Sequence, residues 1–162
     1  MISLKRKKER GFTIVELLIV IVVIGILAAI VITTYSGIQA KARNAKRQTD
    51  MQSLQTQIEA FYATNNYYPS NADINSATWR ATNMKSLDTG AMQDPLWSSA
   101  NTSCTTSGSA ILQDSTTPAN GCYGYEPSDS GASCEAADTT CNQYTLTANL
   151  EGGGTVTKQN LD

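Results

Sequence analysis

"KKERGFTIVELLIVIVVIGILAAIVI", residues 7–32, decides the fold, and it sets one acid, Glu16, at the head of an otherwise unbroken apolar run. From Leu17 to Ile32 there are sixteen consecutive apolar or small residues, thirteen of them Leu, Ile or Val. At roughly 0.3–0.6 kcal/mol each near a bilayer centre, the thirteen favour insertion by about 4–8 kcal/mol. An acid at mid-bilayer costs about 2.5–3.5 kcal/mol, and less near a helix end. Insertion therefore wins despite Glu16. As a helix rising ~1.5 Å per residue, Phe12 to Ile32 spans about 31 Å, enough to cross a ~30 Å hydrocarbon core. The segment is expected to live in a membrane.

Charge is divided unevenly along the 162 residues, although the net value is only −2. Lys5, Arg6, Lys7, Lys8 and Arg10 stand against Glu9 before the apolar run, whereas from residue 49 onward three bases face twelve acids. A basic flank beside a span stays on the cytoplasmic side, so the acidic part is expected to be translocated. Lys41, Arg43, Lys46 and Arg47 oppose this orientation, but they begin nine residues beyond Ile32 and the leader abuts the span.

The four cysteines, Cys104, Cys122, Cys134 and Cys141, all lie on the side read as external. Their gaps do not match paired zinc ligands, and the chain has no histidine. Two disulfides in an oxidising compartment are expected, with no metal site and no cofactor. Of the three connectivities, the one closing local loops is preferred, Cys104–Cys122 with Cys134–Cys141. The lack of histidine also removes Ser/His and Cys/His catalysis.

Beyond Tyr35 the chain stays rich in Ala, Gln, Lys and Arg, with no proline before Pro69. Met51, Leu54, Ile58 and Phe61 recur at spacings of 3 and 4, one face of a helix. Ile38, Ala42 and Ala45 are read as an upstream continuation of that face, and Gln52, Gln55, Thr56 and Glu59 as its polar opposite. A single helix from about Phe12 to Asn65, roughly 80 Å long, is the simplest solution. Asn65-Asn66 and Pro69 end it. A short helix is expected within Ser76–Leu87, and "QDPLW" (93–97) as a turn followed by buried anchors. In "NQYTLTANLEGGGTVTK" (142–158), Tyr144, Leu146, Ala148 and Leu150 alternate with Thr145, Thr147, Asn149 and Glu151, the period of a half-buried strand. Gly152-Gly153-Gly154 permits a reversal into a second strand. The fold class is α+β: a long N-terminal helix, membrane-spanning in its first half and amphipathic in its second, packed on a small antiparallel sheet.

These features together resemble the type IV pilins and the related pseudopilins of type II secretion. The resemblance rests on the basic leader ending in Gly11, on "GFTIVELLIVIVVIGILAAI", and more loosely on "RQTDMQSLQTQIEAFYATNNYYPS", "DPLW" and "YTLTANLEGGG". It implies cleavage after Gly11 by a prepilin peptidase, N-methylation of Phe12, and pairing of Glu16 with a Phe12 amine during assembly. It divides the chain into a cleaved leader (1–11), a transmembrane or filament-core helix (12–35), an amphipathic extension (36–66) and a globular head (67–162). The partners implied are identical subunits, the peptidase, an assembly platform and the membrane before assembly. The precursor is expected in the cytoplasmic membrane and the product in an extracellular filament. Many type IV pilins carry a proline in the apolar run; here only Gly25, Thr33 and Gly37 could loosen the helix.

Other residues are read more plainly. Lys41, Arg43, Lys46 and Arg47 are expected to form a solvated helix face, and the acidic head argues against direct nucleic-acid binding. Tyr67 and Tyr68 are expected to pack the helix end on the sheet, and Trp79 and Trp97 to act as core anchors. Asp88, Asp94, Asp114 and Asp129 match no calcium loop. The competing functional class is a membrane-tethered enzyme or binding module, but no nucleophile–base pair or phosphate loop supports it. The expectation is a structural protein and not an enzyme.

Overall fold

The computed structural model describes residues 11–100, 102–106, 109–134 and 140–161, and, within these, the side chains of all but 33, 34, 106 and 110. The leader bases before Gly11 lie outside them. One helix, α1 (Ile14–Asn65), opens the chain. Its start is a reciprocal cap. Thr13 Oγ1 accepts from the Glu16 N–H at 3.2 Å, while Glu16 Oε2 accepts from the Thr13 N–H at 2.8 Å. Two amides that the helix cannot satisfy internally are thereby satisfied. At the other end Asn66 adopts φ 63° and its N–H reaches the Tyr62 carbonyl at 2.7 Å, which terminates the helix.

The chain divides into two compact units between Gln39 and Ala40. In the N-terminal unit, every described side chain from Gly11 to Ile38 is exposed, including Leu17 to Ile32. That stretch of α1 is long and apolar enough to cross a membrane, and its described side chains are exposed.

The second unit is built on the rest of α1. Met51, Leu54, Ile58 and Phe61 are buried, as their spacing predicts. They pack with Tyr68, Tyr123, Tyr125, Tyr144, Leu146 and Ala148 in one core. Two short helices come next, α2 (Asn71–Asn75) and α3 (Ala77–Asn83), capped by Ser70 and Ser76 respectively. The expected helix within Ser76–Leu87 is thus shorter than its range, and α2 was not foreseen. Two-residue strands β1 (Thr105–Thr106) and β2 (Ser109–Ala110) pair with each other. The main sheet is antiparallel, with β3 (Tyr123–Asp129), β4 (Ala132–Ser133), β5 (Gln143–Asn149) and β6 (Thr155–Gln159) in the order β4-β3-β5-β6. Its register sets Tyr125 opposite Leu146 and Ala148 opposite Val156. Gly152, Gly153 and Gly154 all have φ near +90°, a backbone that only glycine adopts without strain, and so the β5–β6 reversal needs them.

Three expectations are corrected. Gln55 is not on a solvated face: it is buried, and its Nε2 donates to the Gln159 carbonyl at 2.8 Å, tying α1 to β6. Ile38, Ala42 and Ala45 are exposed; at this level the buried positions are Arg47 and Asp50 instead. Leu96 is exposed too, whereas Trp97 is half-buried and donates from Nε1 to the Cys104 carbonyl at 3.3 Å.

Candidate functional site

Glu16 sits at the third position of α1, and its carboxylate reaches back one turn. Besides the Thr13 amide, it accepts from the Thr13 hydroxyl at 2.7 Å. This holds the acid beside the peptide between Phe12 and Thr13. Phe12 is itself exposed, and a side chain at Gly11 would meet nothing within 4 Å. The bond between Gly11 and Phe12 is therefore unencumbered by the rest of the described chain. From it the exposed apolar stretch of α1 runs on directly. Gly11, Phe12 and Glu16 are thus gathered at one helix end, whose N–H dipoles favour a negative charge.

A second constellation fastens the helix to the head. Arg47 is buried, and it grips Asp94 with two nitrogens, Nε–Oδ2 at 2.6 Å and Nη2–Oδ1 at 2.9 Å. Its third nitrogen donates to Asn44 Oδ1 at 2.8 Å and Glu151 Oε1 at 3.2 Å. Arg43 holds both oxygens of Glu151, at 2.5 and 2.6 Å. Asn44 Nδ2 donates to the Glu151 carbonyl, and Asn44 Oδ1 accepts from the Glu151 N–H. Lys46 bridges to Asp50, which also accepts from the Tyr123 hydroxyl at 2.7 Å. The bases read as a solvated face are thus, for Arg43, Lys46 and Arg47, a clamp onto the chain's own acids. Buried cations without partners are costly, and here each has a carboxylate.

The electrostatics derive from this geometry. Hydrogen bonds from Arg43, reinforced by Arg47, hold the Glu151 carboxyl down to about 2. Asp94 raises Arg47 above its ordinary value. Burial, then the bond to Asp50, pushes Tyr123 upward, and burial with the bond to Glu59 does the same for Tyr144. Glu59 accepts from both Tyr144 and Tyr68, at 2.7 and 3.1 Å, while Tyr68 stacks on Tyr62. Tyr68 accordingly packs the end of α1 against β5. Trp79 lies half-buried against Phe61.

The disulfides join Cys104 to Cys122 and Cys134 to Cys141. Of the aspartates considered for calcium, Asp94 is committed to Arg47, Asp88 accepts from the Gly90 N–H, and Asp129 accepts from Asn142. Sequence reasoning missed the cap formed by Thr13 and Glu16, although the T-x-x-E spacing was a readable signal. It also missed Asp94 and Glu151 as partners of Arg47, which no local signal marks.

Fold and site define a class: an α+β protein whose long helix carries a membrane-length apolar stretch of exposed side chains, with an acid at its first turn. Known proteins are similar to the chain's N-terminal region. The family described as "Prokaryotic N-terminal methylation motif" matches residues 6–32. A type II secretion system core protein G of Pectobacterium carotovorum subsp. carotovorum is 38% identical over 63 residues, 39% of this chain and 40% of that protein. The core protein G of Escherichia coli (strain K12) is 37% identical over 62 residues, 38% of this chain and 43% of that protein. The type IV major pilin protein PilA of Myxococcus xanthus (strain DK1622) is 38% identical over 61 residues, 38% of this chain and 28% of that protein. The chain thus spans less than half the length of these curated relatives. No solved structure matches. The chain is prepilin-like, and its N-terminal region carries the signature of the type IV pilin and type II secretion pseudopilin family.

Proposed function

We propose that the chain is the precursor of a structural subunit that polymerises into a type IV pilus-like filament. A prepilin peptidase cuts after Gly11 on the cytoplasmic side, and Phe12 becomes the methylated first residue. Cutting before the apolar helix leaves it attached and removes five bases, so the helix can exchange lipid for the helices of identical copies. In that environment a carboxylate and an ammonium group stabilise each other only as a pair, and removing one partner typically costs about 3–5 kcal/mol. Glu16 then acts as a register pin for helices that would otherwise slide. The filament core is formed by residues 12–35, with the disulfide-bonded head outside. The chain has a mechanical role and no catalytic one.

The observation that carries this reading is the position of Glu16, held at the first turn of an apolar helix whose described side chains are exposed as far as Ile38. Expressing the chain with and without a prepilin peptidase and reading the N-terminus by mass spectrometry tests it. An N-methylated Phe12 is expected. An intact leader in the presence of the peptidase, or a cut after Ala28, would leave only a tether or a secreted domain.

A second reading is favoured by the relatives named type II secretion system core protein G: a pseudopilin in an envelope-spanning secretion assembly. Deleting the gene separates the two. Loss of long surface fibres supports the pilin, and loss of exoprotein secretion with fibres unchanged supports the pseudopilin.

A further inference from the structure

The cations of the head are unequally settled. Arg43, Lys46 and Arg47 each have a carboxylate, whereas among the described residues no ion pair includes Arg80 or Lys85. Arg80 projects from α3 and gives Nη1 to the Ile74 carbonyl at 2.5 Å, which secures the end of α2. Among the described residues its Nε and Nη2 have no hydrogen-bond partner. The side chain is partly buried, and burial alone holds its pKa below the ordinary value. Lys85 is exposed nearby, and the two cations flank a groove of about 180 Å³ with an apolar floor of Ala77, Ala81, Met84 and Leu87. No buried side-chain nitrogen or oxygen lacks a hydrogen bond among the described residues, so the unbonded nitrogens of Arg80 face solvent and are open to a counter-charge. Arg47 in the same head shows the completed state, with two carboxylates in contact.

What completes Arg80 is indicated by the charge of the chain. From residue 49 onward Arg80, Lys85 and Lys158 are the only bases, set against twelve acids. The chemistry that complements this groove is therefore a carboxylate, in which the head is rich. A lone basic patch cannot pair with itself across a two-fold axis. It must meet a different patch on the next copy, and such heterologous contacts propagate as helical polymers when they do not close. Building on the filament reading above, we propose that the groove between Arg80 and Lys85 receives a carboxylate-bearing segment from the head of a second copy. The carboxylate pairs with the two cations, and the methylene stem of its residue rests on Met84 and Leu87.

The test uses full-length protein processed and assembled in cells that carry the prepilin peptidase. Arg80→Glu with Lys85→Glu should leave leader cleavage and disulfides intact while cutting the yield of sheared filaments at least tenfold. Arg80→Lys should retain most of the yield. Carbodiimide treatment of wild-type filaments should join Lys85 to an Asp or Glu of a neighbouring copy, giving covalent dimers whose junction peptide is read by mass spectrometry. Lys85→Arg keeps the charge and should keep the filaments while losing that junction, and it decides the matter alone if the doubly reversed chain does not fold. Filaments of the reversed variant equal to wild type in amount and salt resistance overturn the proposal, as does the absence of any Lys85 junction. A groove that instead binds anionic vesicles or another protein would give that result. Wild-type protein that is processed but never polymerises overturns the filament reading itself, a result distinguishable from the other two.

Discussion

Arg47 and Asp94 face each other across 47 residues of chain with both side chains about 2% exposed, joined by two parallel hydrogen bonds. A bidentate pair has strong geometry, but both ions have left water and that loss offsets much of the attraction. The asymmetry of the pair is what can be measured. Asp94→Ala leaves Arg47 buried with Asn44 Oδ1 at 2.8 Å and one carboxylate, Glu151, at 3.2 Å, and should destabilise the head by about 3–5 kcal/mol. Exchanging both, Arg47→Met with Asp94→Leu, should recover most of that loss. Urea denaturation of the full chain in detergent, followed through tyrosine and tryptophan fluorescence, reads both. A loss under about 1 kcal/mol for Asp94→Ala would show that the pair is not required.

Glu151 gives the clamp a pH dependence of definite sign. Arg43 and Arg47 hold its carboxyl down to about 2 in the folded chain, against an ordinary value of 4.5. Its contribution is therefore complete above pH 4.5 and is lost as pH falls toward 2. The gap in urea midpoint between wild type and Glu151→Gln should be widest and constant from pH 7 to 5, and should close between pH 4.5 and 2. A gap unchanged at pH 2.5 would mean that Glu151 acts through its backbone bonds to Asn44 rather than through charge.

The sequence is most legible where burial repeats with a period. Met51, Leu54, Ile58 and Phe61 on the helix, and Tyr144, Leu146 and Ala148 on β5, each announce one face, and the core lies where those faces meet. Charged residues carry no such signal, because a base on a helix is usually solvated. Yet Arg47 precedes Met51 by four residues, so it extends the buried row 47, 51, 54, 58, 61 at spacings of 4, 3, 4 and 3. That spacing marks position 47 as inward, yet as a base it is read as part of a solvated face; its carboxylates lie far away in sequence. Gln55 was misplaced because glutamine has an amide that can satisfy the open carbonyl of Gln159, a tertiary fact without local trace. Thr13 and Glu16 carry the T-x-x-E spacing of a cap, a local signal that is independent of the apolar run beside it.

Gly124 is required by proximity rather than by a turn. It sits on β3 opposite Thr147, beside the chain segment around Ser115. A Cβ added there would lie 2.1 Å from the Ser115 carbonyl oxygen and 3.2 Å from Pro118 Cδ. Backbone cannot yield as a long side chain can, so Gly124→Ala should cost about 1–3 kcal/mol or more. It should also loosen the bridge between Gln113 and Gly124, visible as faster amide exchange at Gln113 and Tyr125, whose N–H groups bond to Tyr123 and Gln113 carbonyls. Thermal melting at or above the wild-type temperature would show that the 115–118 segment shifts freely.

Glu16 has two tasks that a single substitution can separate. As a cap it needs only an acceptor oxygen for the Thr13 amide, and glutamine supplies one at this helix position. As a register pin it needs a negative charge to meet a terminal ammonium group in a dry core. Glu16→Gln should therefore keep the cap and leader removal, yet fail to assemble as severely as Glu16→Ala. Thr13→Val removes the hydroxyl cap at a cost of about 0.5–2 kcal/mol, and should assemble while the Glu16 charge remains. Counting surface fibres by electron microscopy, alongside mass spectrometry of the N-terminus, distinguishes these outcomes. Abundant fibres from Glu16→Gln with none from Thr13→Val would reverse the assignment and make the cap, not the charge, the requirement for polymerisation.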